Sequence, residues 1–325
     1  MIFPIFNGFL SYAKAPVTWI LFGLNLVFFI GASILEIGPS GQLDKLLTNK
    51  NLINTTGRMF AQFVKTNPEH FSADVFQMSK TLTFADKENG YLLGGFALSQ
   101  KYFWDNYKDF KFQGDRVAIA DWRDTMIEIE KVQLTHPQFL LGVRGVPDSE
   151  NNFYRWISYQ FTHSGLFHFA GNMVYLLLFG AFLEPILGGL MLLVGYLMSG
   201  AIAAAVFLLI SGESNLPLVG ASGAISGLMA ITTVLMWTKP VRYFYVWFLP
   251  KRNYLGFVML PAWLTFLVWL VPDLAGFLSS HEFSGGIAFI AHLGGELAGI
   301  LTGLTILVMT KMKQSGFKLL FNKTA

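Results

Sequence analysis

Long apolar runs separated by short polar joints make up most of the chain, and one extended polar stretch interrupts them after the first run. A membrane span needs roughly 20 mostly apolar residues to cross a hydrocarbon core about 30 Å thick. Six segments meet that requirement, at about 17–36, 167–187, 189–210, 220–237, 254–271 and 287–309. The first reads as a retained anchor rather than a cleaved leader. Lys14 precedes it, but its apolar run is long for a leader, and Glu36 follows without a small-residue cleavage site. The polar stretch, 38–153, carries helix signals: Asp115 can cap a helix on which Ile119, Trp122, Met126 and Ile129 form a stripe at spacings of three and four. A structureless loop of that length is uncommon. The pattern therefore predicts an all-α polytopic membrane protein with six spans and a mainly helical, outward-facing insert. Its segments are an N-terminal segment with the first span (1–37), the insert (38–153), a core of spans two to six (154–311) and a basic cytoplasmic tail (312–325).

Composition and charge placement sharpen that picture. Of the 325 residues 53% are hydrophobic and 13% charged, against about 25% charged in a typical soluble domain. The insert region 41–150 holds 14 of the 20 acidic and 13 of the 23 basic residues. There is no cysteine, which removes disulfides, thiolate catalysis and cysteine-ligated metals together. No basic groove interleaved with aromatics points to nucleic acid. Lys239, Arg242, Lys251 and Arg252 follow the fourth span, and Lys311, Lys313, Lys318 and Lys323 follow the sixth, in both places without an acid. With Lys14 they fall on one side of a six-span arrangement, which the positive-inside rule assigns to the cytoplasm. Spans two, four and six then all start at the outer face.

Strongly polar groups inside spans are costly and usually face an interior cavity. Here they gather at the outer starts of those three spans. Around the second lie His163, His168 and Asn172, the last two on one helical face. The fourth opens with Gly220-Ala221-Ser222-Gly223, and Gly223, Ser226, Gly227 and Ala230 leave a nearly bare face. A packing seam explains those four small residues but does not require Ser222. In the first turn of an inward-running helix, a serine meets free N–H groups and the positive dipole end. The sixth span carries His292, followed on its face by Gly295, Gly299 and Gly303. Docking the two bare faces would bring Ser222 and His292 to one depth, as a nucleophile and base require. Interhelical hydrogen bonding remains an alternative for each polar residue taken singly.

At these positions the chain resembles the rhomboid family of intramembrane serine proteases, over about 154–311 and more loosely over the first span. The family pattern is a Trp-Arg pair, His-x4-His-x3-Asn, Gly-x-Ser-Gly and Ala-His-x2-Gly-x3-Gly, in that order. Here it reads Tyr154-Arg155; His163, His168 and Asn172; Gly220 to Gly223; and Ala291-His292 with Gly295 and Gly299. Glu184 also resembles a family position. The resemblance implies a rhomboid-like bundle and a Ser222–His292 dyad without a carboxylate. It implies an oxyanion held by the Ser222 N–H with His168 and Asn172, and a supporting role for His163 in ordering the helix start or local water. Arg155 would tie the first loop to the lipid headgroups, and substrates would be transmembrane segments of other proteins, cut near the outer face. The fifth span, with Pro261, Trp263, Phe266 and Trp269, is a candidate lateral gate, or simply carries lipid-facing aromatics. The chain departs from the pattern at three points. Ser226 stands where many relatives place an aromatic ring against the catalytic imidazole, which leaves open what holds His292. Glu296 stands where relatives are commonly apolar. The insert is far longer than the usual first loop.

Rival functions differ in signature. A catalytically silent relative that binds or escorts membrane helices would lack the serine or the histidine, and both are present. A transporter would distribute charged groups through the full depth of its spans. A metal enzyme would need a ligand set such as His-Glu-x2-His, which is absent. No cofactor is called for; the partners expected are transmembrane substrates and lipid. The location expected is a bacterial inner (plasma) membrane, with a cytoplasmic C-terminus.

Overall fold

The computed structural model describes residues 2–5, 14–36, 41–82, 87–144, 153–210, 215–246, 255–279 and 287–321. The first apolar helix is α1 (Pro16–Glu36). Seven helices of the polar stretch follow: α2 (Gly41–Thr48), α3 (Lys50–Thr66), α4 (Ala73–Thr81), α5 (Lys87–Ser99), α6 (Lys101–Asn106), α7 (Arg116–Thr135) and α8 (Pro137–Leu141). A short α9 (Arg155–Ser158) leads into α10 (Leu166–Leu187), α11 (Gly189–Ile210), α12 (Ser222–Met236), α13 (Ala262–Ser279) and α14 (Ile287–Phe321). Among the described residues four stretches are long and apolar enough to cross a membrane: Pro16–Leu35, Leu166–Leu187, Gly189–Ile210 and Phe289–Lys311. Ser222–Met236 and Ala262–Leu278 are apolar but shorter. The chain is an all-α polytopic membrane protein in its spans, with a helical cap.

The cap has its own apolar core, in which Phe60, Phe63, Phe103, Trp122, Met126 and Ile129 are buried together. The side chain of Asp115 accepts from Val117 N at 2.9 Å and starts α7, whose buried stripe contains Ile119, Trp122, Met126 and Ile129.

One expectation needs correction. The apolar stretch from 254 is not the start of the fifth span. Residues 255–261 form β3 (Leu255–Pro261), antiparallel to β2 (Pro240–Val246), which also pairs with β1 (Ile2–Ile5). Exposure alternates along β3 with the period of two that a strand imposes, and Pro261 closes it, so the helix begins at Ala262. Arg242 lies over the Phe257 ring at 3.9 Å and covers one face of the hairpin. At the other end α14 continues as helix to Phe321, through most of the basic tail. Lys251, Arg252 and Lys323 lie outside the described residues. The β1–β2 pairing sets residues 2–5 beside 240–246, at one end of the bundle.

Glu184, near the end of α10, accepts from Val17 N, Thr18 N and Thr18 Oγ1, each at 2.8 Å. It thereby caps the start of α1, whose first N–H groups have no partner within the helix. At the centre lies α12, buried continuously from Gly223 to Thr233. On one side Ser199 and Ala203 of α11 press against Gly227 and Gly223. On the other, a Cβ on Gly295 would run into Gly223 O, and a Cβ on Gly299 into Gly227 O. Both backbones approach this closely only because the glycines lack side chains.

Glu184→Ala removes three charge-assisted bonds from a buried carboxylate. It is expected to cost on the order of 1–3 kcal/mol and to lower the midpoint of thermal unfolding in detergent. An unchanged midpoint would show the cap to be dispensable.

Candidate active site

Ser222 is the first residue of α12 and is half-buried. The first intrahelical bond near it runs from Ile225 N to Ala221 O at 3.0 Å. The N–H groups of Ser222 to Ala224 therefore precede the helical ladder, where a helix attracts negative charge. The loop delivering Ser222 is tied down residue by residue. Asn215 N donates to Ser99 O at 2.7 Å, Leu218 and Val143 exchange bonds of 2.7 and 3.1 Å, and Gly220 N donates to Tyr159 O at 2.9 Å. Ser99 and Val143 belong to the polar stretch, so the cap holds part of this loop. At 15 residues α12 is about 22 Å long, less than the roughly 30 Å of the hydrocarbon core.

Gly220 has φ +120°, a backbone conformation that side chains rarely adopt. A Cβ there would lie 2.7 Å from His168 Cε1, 2.8 Å from His168 Nε2 and 3.7 Å from Asn172 Nδ2. His168 and Asn172 of α10 therefore flank the residue two before Ser222. Ser164 Oγ lies 2.9 Å from His168 Nδ1, and Ser164 N donates to the same nitrogen at 3.5 Å. A backbone N–H can only donate, so Nδ1 accepts and Nε2 carries the proton, on the side of Gly220. Asn172 Nδ2 donates to His168 O at 3.0 Å. His163 precedes α10 and lies 2% exposed, its ring 5.2 Å from that of His168 and 5.5 Å from that of Phe169. Burial, with the adjacent His168 adding to it, pushes His163 down to about 4 and leaves it neutral at neutral pH.

His292 sits five residues into α14, roughly 7.5 Å from its start. Ala291 O lies 3.4 Å from where a Cβ of Gly223 would be, so the neighbours of His292 and Ser222 touch across the seam. His168 is close enough to His292 for the two rings to interact electrostatically. Among the described residues Ser222 Oγ makes no hydrogen bond to His292. The imidazole is engaged elsewhere: Nδ1 lies 3.0 Å from Asp273 Oδ1 of α13, while Nε2 is enclosed and has no partner among the described residues. The expectation of an imidazole without a carboxylate is thereby corrected. The signal for Asp273 was an ionisable residue in an apolar helix, and a fifth span ending at 271 left it outside. Glu296 is 3% exposed, with Oε2 enclosed and unpartnered among the described residues, and Ser226 is 8% exposed.

Arg155 is 7% exposed and lines a cavity of about 320 Å³ with Lys101, Asp105, Glu130, Arg144 and Asn215, four of them from the polar stretch. On α13, Phe266 is 9% exposed and Trp269 packs edge-on against Tyr175 of α10, with ring centroids 4.6 Å apart. Neither is a purely lipid-facing aromatic.

A hydroxyl at a helix N-terminus, an imidazole with one free nitrogen and nearby N–H donors form a set suited to acyl transfer. Comparison with known proteins agrees on the family. A family model of the Rhomboid domain matches residues 150–309. Rhomboid-related protein 2 of Mus musculus is 27% identical over 172 residues, 49% of this chain and 50% of that protein. Rhomboid-related protein 3 of Homo sapiens is 27% identical over 184 residues, 54% of this chain and 42% of that protein. Rhomboid-like protein 11, chloroplastic, of Arabidopsis thaliana is 29% identical over 153 residues, 46% of this chain and 51% of that protein. The chain spans about half the length of the curated relatives it matches. With the seam between α12 and α14 and the motif residues along it inside the matched region, residues 150–309 of this chain form a domain of the rhomboid family.

Proposed function

We propose that the chain is an intramembrane serine endopeptidase that cuts transmembrane segments of other proteins near the outer membrane face. The observation that carries the proposal is the glycine seam, which holds the N-terminus of α12 against the stretch of α14 bearing His292. Ser222 Oγ attacks the scissile carbonyl while His292 Nε2 takes its proton. The same nitrogen then protonates the leaving amine, and water resolves the acyl-enzyme by the reverse sequence. The oxyanion is stabilised by the Ser222 N–H, His168 Nε2–H and the Asn172 amide. The Ser222–His292 hydrogen bond forms as substrate settles, since catalytic bonds are often loose in the free enzyme.

Water reaches the site from the end of the bundle bearing the cap, and substrate arrives sideways from lipid. The α10–α13 contact through Tyr175 and Trp269 is the place for that entry. The segment boundaries at 37, 153 and 311 fit this division of labour: an anchor, a cap over the site, a proteolytic core and a basic tail. Lys239 and Arg242 lie at the sheet and Lys14 just before α1, whose start is bound to the end of α10 by Glu184, all towards the end opposite Ser222, and that end faces the cytoplasm. The bacterial location draws no support from the matched relatives, which are from animals and a plant.

A second reading is a silent rhomboid protein that binds and escorts membrane helices. The absence of a Ser222–His292 bond among the described residues favours it. Incubation in proteoliposomes with a panel of single-span substrates separates the two. A protease cleaves at least one, with a loss of about 10³-fold or more in Ser222→Ala and His292→Ala, and with no response to chelators. Cleavage surviving both substitutions, or no cleavage by the unaltered chain, overturns the proposal. Gly220→Ala is expected to lower the rate at least tenfold or so by displacing His168 and straining the turn; an unchanged rate would remove His168 from the oxyanion site.

A further inference from the structure

We propose that Asp273 of α13 is a positioning residue for His292, so that serine, histidine and aspartate form a triad across three helices of the bundle. The inference rests on the proteolytic reading above.

Geometry makes the case. Asp273 is 7% exposed, and its Oδ1 lies 3.0 Å from His292 Nδ1. Burying a carboxylate in an apolar helix is costly unless it is paired, and the imidazole is the partner the structure supplies. An ionised carboxylate only accepts hydrogen bonds, so Nδ1 must carry the proton and Nε2 must present its lone pair. That is the form of histidine a general base requires, and Nε2 is the ring nitrogen without a partner. Other groups around the imidazole do not impose this form. His168 faces it from α10, and Glu296 lies one turn further along α14, within electrostatic reach of Asp273. On α12, Ser226, one turn after Ser222, offers no ring to stack on, and α11 carries no acid or histidine. This chain holds the imidazole by a hydrogen bond at Nδ1, which leaves Nε2 for the serine.

In the reaction, the bond between Ser222 Oγ and the carbonyl carbon forms as the hydroxyl proton moves to Nε2. The Nδ1 proton stays in place, and Asp273 stays ionised, facing the imidazolium. Collapse of the tetrahedral intermediate breaks the C–N bond, and the Nε2 proton leaves with the amine.

The test uses the full chain in proteoliposomes with a single-span substrate that the unaltered chain cleaves in a Ser222-dependent manner. Asp273→Asn preserves shape but no longer dictates the tautomer. The expected result is a kcat lower by roughly 10²-fold or more, with KM within about twofold and the thermal midpoint unchanged. Asp273→Glu restores a substantial part of the lost kcat, which a purely steric role would not. Should Asp273→Asn not fold, Asp273→Ser carries the same expectation. A kcat within about threefold of the unaltered chain in the folded variant, or a loss that tracks unfolding alone, overturns the inference while leaving the protease intact. An unaltered chain without Ser222-dependent cleavage overturns the proteolytic reading and this inference with it.

Discussion

Backbone contact between α12 and α14 is the constraint on which the rest depends. Within lipid there is no hydrophobic gain from pressing two apolar helices together, so close approach must come from van der Waals contact. Gly223, Gly227, Gly295 and Gly299 provide it, each removing the atom that would collide with a carbonyl or a neighbour across the interface. The same contact fixes the relative depth of Ser222 and His292, which stand at the same end of the seam. On the far side α11 fills the gap with Ser199 and Ala203, so α12 is packed closely on both faces.

Around that seam each neighbouring element contributes one fixed group. The second apolar helix brings His168 and Asn172 against the turn at Gly220. The fifth brings Asp273 to His292. The cap, through Ser99 and Val143, bonds to the loop that leads into Ser222. The polar stretch is thus more than a shield: part of the backbone preceding the proposed nucleophile is held by it, and Arg155 is enclosed beneath it. At the opposite end, Glu184 ties the start of α1 to α10. Between α10 and α13 the contact includes the edge-on pair of Tyr175 and Trp269.

Much of this was legible in the sequence because membranes impose simple rules. The limits of α1, α10 and α11 follow from unbroken apolar runs, and the α7 stripe follows from its spacing. The seam was readable because glycines at offsets of 3, 7 and 11 from His292 have few other uses. The fifth span was misread for a physical reason: a short apolar stretch such as residues 255–261 is equally compatible with strand and helix, and periodicity does not separate them. Starting the span early also ended it early and left Asp273 outside the apolar segment, so the partner of His292 was missed. The burial of Arg155 was hidden because it depends on where the cap docks, which no local pattern encodes.

The most direct test of the central claim is to treat the chain in lipid bilayers with a fluorophosphonate and to locate the adduct by mass spectrometry. A nucleophile activated at the start of α12 gives one modified residue, Ser222, and the adduct disappears in His292→Ala. No adduct, or one on a seam serine such as Ser199 or Ser226 instead, would contradict the assignment of an activated hydroxyl at the start of α12.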